Sequence, residues 1–397
     1  MILRQAENVF QRLLDPLPLD RFLDEIVGKR FIKLDTADHN GGRGLLLGDD
    51  PERLLLDSFG HLAPKIGCHA AAPSGPPPEI EPVPDADSFL RKIAAFHARG
   101  YTVRLPEIRR LSPELDRLIR ALEFVFHQPV KVEAFWSRGD AKAPLHHDDY
   151  DIIVVHLKGN KRWFVSSLPS DLPNAWKTLS DAPPRVDRFV EVPVRPGDLL
   201  YLPRGTTHRV DAVSDSIHLS IGFVPFTLRD AVIACLDYLS DVDQTLRESV
   251  GARAGAQALA ADFGNIPQRI RAALATLVKQ SDADTFIVEA LQRRSSRVIG
   301  NLEKLTVPAV CLTLSPSTRL RHTPLGVSHL VSNSSRIDFA YPGGHHLIHR
   351  GVEESVNFIA ATPEFSVRDI PGAIGEDVRM ALVDKFVSTG FLEVVES

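Results

Sequence analysis

Apolar positions recur along this chain with two different periods, and the changes of period divide it. Near the N-terminus Phe10, Leu13 and Leu14, then Phe22, Leu23 and Ile26, follow helical spacing and predict two short amphipathic helices. Arg30-Phe31-Ile32-Lys33-Leu34 predicts a strand. Between Pro73 and Pro84 the prolines remove donors and fix φ, so this stretch predicts an exposed connector of polyproline character. Phe89 to His97 predicts a helix and Tyr101 to Leu105 a strand. Leu111 to Phe126 predicts a longer helix with Leu115, Leu118, Ile119, Leu122 and Phe126 on one side.

Strand patterns then crowd together: Val130 to Trp136, Asp151 to Leu157, Lys161 to Val165, Arg188 to Val192, Asp198 to Leu202 and Ile217 to Phe223. Many short strands with Gly and Pro turns predict a double-stranded β-helix, a jelly-roll barrel whose mouth suits a small ligand. After Pro225 the period returns to three and four. Leu228, Val232, Cys235, Leu236, Leu239, Val242 and Leu246 predict one helix, Ile266 to Leu277 a second and Phe286 to Val298 a third. Such a helical region can pack within its own chain or form a dimer interface. Thr306 to Leu314, Arg336 to Tyr341, Gly343 to His349 and Asn357 to Ala361 are strand-like, and Glu376 to Ser388 is helical with Gly390 as its cap. The expected architecture is α+β, divided into residues 1–86 with the Pro-rich linker, a barrel over 87–225, a helical region over 226–300 and a C-terminal domain over 301–397.

At 397 residues the chain exceeds one ordinary core, and 44% apolar residues permit several. A net charge of -5 offers no general attraction to nucleic acid, membranes or acidic ligands. Cys68, Cys235 and Cys311 show no CxxC spacing and fit reduced thiols of a cytoplasmic protein. No apolar run has signal-peptide or membrane-spanning character.

The chemistry concentrates in Leu145-His146-His147-Asp148-Asp149-Tyr150-Asp151 and in Pro196-Gly197-Asp198-Leu199-Leu200-Tyr201-Leu202-Pro203-Arg204-Gly205-Thr206-Thr207-His208. A His-x-Asp pair with a distant His is what a 2-His-1-carboxylate facial triad needs to hold Fe(II) and leave positions open. On an extended strand residues two apart share a face. His146/Asp148 and His147/Asp149 both satisfy that spacing. Strand periodicity does not choose, since Ile152 to Val155 are apolar on both faces.

These segments resemble the JmjC-type cupin oxygenases, and most closely the ribosomal oxygenases. In that family a Ser precedes the His-x-Asp, here in Phe135-Trp136-Ser137, and a strand with a basic residue and a Trp follows, here His156-Leu157-Lys158-Gly159-Asn160-Lys161-Arg162-Trp163. Gly197 to His208 matches the stretch that supplies the third ligand. The resemblance therefore implies His146, Asp148 and His208 as metal-binding and catalytic residues, Fe(II) as metal and 2-oxoglutarate as cosubstrate. It implies Lys161 as the cation for the far carboxylate, Ser137 as its supporting hydroxyl and His218 as a polar group facing the cosubstrate. By pattern alone Lys161 follows a possible Gly159-Asn160 hairpin turn and would face solvent, with Lys158 and Arg162 as rival cations.

The implied activity is hydroxylation of a protein side chain, a His or Arg of a ribosomal protein leading, with O2 consumed. A small-molecule or peptide hydroxylase and a non-catalytic cupin binding module are the alternatives. The resemblance also implies a homodimer through the helices and a winged-helix-like C-terminal domain. The helix there carries Glu376, Asp377 and Asp384 against Arg379 and Lys385, which favours a structural or protein-contact role over nucleic acid. Acidic residues from Asp148 to Asp151 suggest an entrance suited to a cationic substrate. His345-His346-x-x-His349 looks like a metal cluster in isolation, but its strand context favours a surface or domain-contact role.

Overall fold

The computed structural model describes residues 2–35, 42–79, 82–167, 172, 188–249, 264–304, 314–324, 326, 328–332 and 335–395. Two compact units divide the chain, Met1–Pro225 and Phe226–Ser397. In chain order the first holds α1 (Ile2–Leu14), α2 (Leu19–Glu25), β1 (Ile32–Leu34), α3 (Pro51–Asp57), α4 (Phe59–Leu62), β2 (Gly67–His69), α5 (Ala86–Ala98), β3 (Thr102–Pro106) and α6 (Pro113–Phe126). Then come β4 (Lys131–Ser137), β5 (Asp151–Lys158), β6 (Lys161–Ser166), β7 (Phe189–Val194), β8 (Leu199–Leu202), β9 (His208–Ala212) and β10 (Ser216–Phe223). Helix starts follow their caps: the side chains of Asp50, Asp85 and Ser112 accept from Arg53 N, Ser88 N and Leu115 N.

The strands form a seven-stranded sheet, β1-β8-β5-β10-β4-β3-β2, and a three-stranded sheet, β7-β6-β9. The larger sheet is buried on both faces, which explains the continuous apolar run in β5. Ile153, Val155, Leu199, Ile217, Leu219 and Ile221 pack outward against helix residues such as Phe10, Phe22, Phe89 and Leu122. Ile152, Val154, Leu200 and Leu202 alternate with them and face inward, meeting Trp163, Val165, Val192, Val194 and Val210 of the second sheet. Each such aliphatic side chain contributes about 1.5–3 kcal/mol on burial. Residues 140–143 bridge the two sheets on one side, where Ala71 N donates to Lys142 O and Ala143 N to Val210 O, each at 2.8 Å.

The first 86 residues share this unit and its core, because β1 and β2 form the two edges of the seven-stranded sheet. β1 falls within the strand predicted over Arg30 to Leu34, whereas the three residues of β2 are too few to show a period. Residues 73–79 of the Pro-rich stretch form no helix or strand and are tied down, Tyr101 Oη donating to Gly75 O at 2.9 Å. Gly159-Asn160 does not close a hairpin. It carries the chain from the larger sheet to the smaller, with Gly159 at φ +68, where a Cβ would collide with Asp215 O.

The second unit begins with α7 (Leu228–Val242), α8 (Ile266–Ser281) and α9 (Asp284–Asn301), which meet at Cys235, Leu239, Leu277, Phe286 and Ala290. A Thr227/Asp230 capping box starts α7. Next come β11 (Arg319–His322), β12 (His329–Ser332), β13 (Arg336–Tyr341), β14 (Gly344–His349), α10 (Glu353–Ala361), β15 (Glu364–Ser366), α11 (Glu376–Ser388) and β16 (Leu392–Val394). They form sheets β15-β11-β16 and β12-β13-β14 around Phe339, Val356, Ile359, Phe386 and Phe391. Asn357 to Ala361, expected as a strand, is helical. Val356 and Ile359 are buried three apart while Glu353 and Glu354 occupy the first turn, and a short apolar run cannot separate the two periods. Residues 306–313, also expected as a strand, lie outside the described residues. No helix among the described residues is long and apolar enough to cross a membrane.

Candidate functional site

Inside the barrel, about 530 Å³ of space opening to solvent is lined by His146, Asp148, Lys161, Trp163, His208 and His218, among others. The first half of the metal motif precedes β5 and the last His opens β9, and backbone bonds stitch the two together. His146 N donates to His208 O at 3.0 Å and His208 N to His146 O at 2.8 Å, while Gly205 N donates to Asp148 O at 2.7 Å. The turn before His208 is clamped as well: the buried Asp151 carboxylate accepts from Arg204 N at 3.1 Å and from the Tyr201 hydroxyl, which itself accepts from Gly28 N at 2.7 Å. Asp151 is thus fully buried and takes no part in an acidic entrance. Asp198 accepts from Arg195 N within its turn and pairs with Lys33.

Both imidazoles are oriented in the same way. His146 Nδ1 donates to Pro144 O at 2.8 Å and His208 Nδ1 to Thr206 O at 2.9 Å, which leaves each Nε2 as the electron-pair donor. His208 Nε2 lies 3.9 Å from Asp148 Oδ2, and the ligand atoms of His146, Asp148 and His208 all lie within 4.8 Å of one another, close enough to hold one ion. Burial, then the neighbouring His146, pushes His208 down to about 3, so its ring is neutral, the ligating form. Among the described residues no such set includes His147 or Asp149.

Lys161 points inward from β6 and is 3% exposed. Its Nζ donates to Ser137 Oγ at 2.8 Å and to His218 Nδ1 at 2.9 Å, and among the described residues no carboxylate pairs with it. Burial lowers it to about 7. Accepting from Lys161 at Nδ1 fixes His218 as the Nε2–H tautomer, and its ring stacks on Phe135 with centroids 5.0 Å apart. The rival cations point elsewhere: Lys158 pairs with Glu52 and Arg162 with Glu191, both at the surface. Lys161 lies four residues along β6 from Val165, the cross-strand partner of His208, or roughly 13 Å of strand. The ammonium and the three ligand atoms therefore sit at different levels of one pocket.

Sequence reasoning missed other pocket groups. Thr102 Oγ1 is 2.9 Å from Ser137 Oγ and extends the Lys161 network. His69, on β2, lines the pocket and is pushed down to about 4 by burial and by Lys161. His156 does not line the pocket; it is wholly buried near His218, with ring centroids 6.2 Å apart, and is lowered to about 3 by burial. Thr102 stands at the start of a recognisable strand, but His69 precedes the Pro-rich stretch and carried no signal.

A family model for the JmjC domain matches residues 105–231. The chain carries a JmjC domain. Bovine ribosomal oxygenase 2 is 30% identical over 138 residues, 34% of this chain and 29% of that protein. The bifunctional lysine-specific demethylase and histidyl-hydroxylase NO66 of Drosophila persimilis is 28% identical over 218 residues, 54% of this chain and 31% of that protein. The matches thus span about a third of these relatives' lengths. The structure of YcfD, a ribosomal oxygenase from Escherichia coli in complex with cobalt and 2-oxoglutarate, aligns at a TM-score of 0.54 with 15% identity, covering 96% of this chain and 99% of that one. The JmjC domain therefore sits in a fold shared with ribosomal oxygenases. The matched residues include His146, Asp148, Lys161, His208 and His218 but exclude His69 and Thr102.

Proposed function

We propose that this protein is an Fe(II)- and 2-oxoglutarate-dependent oxygenase that hydroxylates a protein side chain, a His or Arg of a ribosomal protein leading. One observation carries the reading: a single pocket has three convergent ligand atoms at one level and, at another, an inward ammonium without a carboxylate partner among the described residues. Fe(II) would be held by His146 Nε2, His208 Nε2 and the Asp148 carboxylate. When bound it supplies O2 activation, with 2-oxoglutarate as the co-reductant that leaves as succinate and CO2.

The protein's own part is positioning. Hydrogen bonds from Nδ1 to Pro144 O and Thr206 O hold both imidazoles ready, so little reorganisation opposes metal entry. Lys161 pairs with the distal carboxylate of 2-oxoglutarate, since a buried charge left unpaired costs several kcal/mol. Ser137, backed by Thr102, holds Nζ in place, and His218 offers its Nε2–H. Ala141, Ala143 and Ala212 keep the wall thin enough to admit a ligand.

A ribosomal target is supported by the relatives' names, and hydroxylation rather than demethylation is the reading for this chain. A homodimer is supported by apolar side chains left to water on α7 and α8, Leu228, Val232, Ile270, Leu274 and Val278. The last hundred residues are read as a winged-helix-like module in protein contact, and the free thiols of Cys68 and Cys235 suit a cytoplasmic setting. Mass spectrometry of ribosomal proteins from a deletion strain and its parent tests the target. A His or Arg carrying one extra oxygen atom in the parent alone is expected; identical spectra would contradict it.

A further inference from the structure

We infer that His69 is a further binding residue of the cosubstrate pocket, donating a hydrogen bond to the bound 2-oxo acid. This rests on the 2-oxoglutarate reading above and adds a residue from outside the JmjC-matched stretch. His69 closes β2 opposite Thr102 of β3, and Thr102 Oγ1 bonds Ser137 Oγ, which bonds Lys161 Nζ. The imidazole is thus the next side chain in the polar row that leads to the ammonium. On its other side β2 runs on to Ala71, whose N–H donates to Lys142 O between Ala141 and Ala143, two small residues of the pocket wall. His69 therefore stands two residues from the strand's contact with this small-residue part of the wall.

The ring rests on Phe135, with centroids 5.5 Å apart, and Phe135 stacks on His218. Aromatic packing fixes its plane while its polar atoms stay uncommitted. Among the described residues neither ring nitrogen of His69 has a hydrogen-bond partner, although the residue lines the pocket. Held neutral by burial and by Lys161, the ring keeps one N–H to give. A neutral donor beside an ammonium is suited to a carboxylate or oxo group, which accepts from both.

Calorimetric titration of the Fe(II)-loaded protein with 2-oxoglutarate, without O2, tests this. His69→Phe keeps an aromatic ring on Phe135 and removes the donor, so affinity should fall about tenfold or more. His69→Gln keeps a donor and should stay within about threefold of the parent, with iron affinity unchanged in both. If the larger Phe ring disturbs β2, His69→Ala takes its place with the same expectation. Parental affinity in His69→Phe, or an equal loss in His69→Gln, overturns the inference. Lys161→Ala in the same series separates the two claims. A parent that binds and a Lys161→Ala variant that does not leave the pocket reading standing whatever His69 does, whereas a parent that binds no 2-oxoglutarate sinks both.

Discussion

The segment from His146 to Asp148 and the segment from His345 to His349 both bring imidazoles close together in sequence. Only the first gathers a ligand set among the described residues. On β14 the adjacent His345 and His346 face opposite sides of the sheet, as strand geometry demands. His345 Nδ1 bonds Asp338 at 3.0 Å, the His346 ring lies 4.7 Å from that of Tyr341, and His349 Nδ1 accepts from Gly351 N. Their nitrogens diverge or serve local bonds. In the barrel, residues from separate backbone segments converge, and each His gives its Nδ1 proton to a carbonyl so that Nε2 remains. Convergence and a fixed tautomer separate the two regions, and spacing alone does not.

The sharpest test of that contrast is removal of ligands. His146→Ala, Asp148→Ala and His208→Ala should each abolish Fe(II) binding and turnover, because two remaining donors cannot form a tridentate face. His345→Ala and His349→Ala should leave iron stoichiometry at the parental value. Loss of iron in Asp149→Ala with retention in Asp148→Ala would move the assignment by one residue.

Next in size, Lys161→Ala should weaken 2-oxoglutarate by about 2–4 kcal/mol, the cost of leaving its carboxylate unpaired, with little effect on iron. Equal affinity in variant and parent would transfer the role to another residue.

Charging the apolar faces of α7 and α8 with Val232→Glu and Leu274→Glu should convert a dimer to monomers, since both side chains are about half exposed in one chain. Light scattering reads this directly, and a monomer mass in the parent at every concentration would remove the dimer from the account.

The smallest effect is a pH slope. Lys161 stands at about 7 against its usual 10.5, and binding the dianion requires the ammonium. Affinity should therefore be flat below about 7 and fall as pH rises above it, by at most about tenfold per pH unit. Stability of the unliganded fold runs the other way. The unfolded chain binds the extra proton between about 7 and 10.5, so this group's contribution grows as pH rises through that window. Lys161→Arg should erase the affinity slope; an unchanged slope would place it on another group.

Much of this arrangement is legible in the sequence. The run of short strand patterns broken by Gly and Pro turns predicted the barrel, because strand period and turn chemistry are local, and the resemblance of Gly197 to His208 pointed to the third His. What stayed hidden was long-range. Gly159-Asn160 looks like a hairpin until the strands on either side join different sheets, which turns Lys161 inward. Asp151 looks acidic and exposed until Tyr201 and Arg204 close on it. His69 has no local pattern, since its strand is three residues long and its meaning comes from Thr102 and Phe135 beside it.

On the proposed reading, iron and 2-oxoglutarate act together in one pocket. Incubating the protein anaerobically with Fe(II) and 2-oxoglutarate, then admitting O2 together with ribosomal proteins, and quantifying succinate tests it most directly. O2-dependent succinate formation is expected in the parent and none in His208→Ala or Lys161→Ala at the same cosubstrate concentration. Succinate formed equally by parent and His208→Ala, or none from the iron-loaded parent, would contradict it.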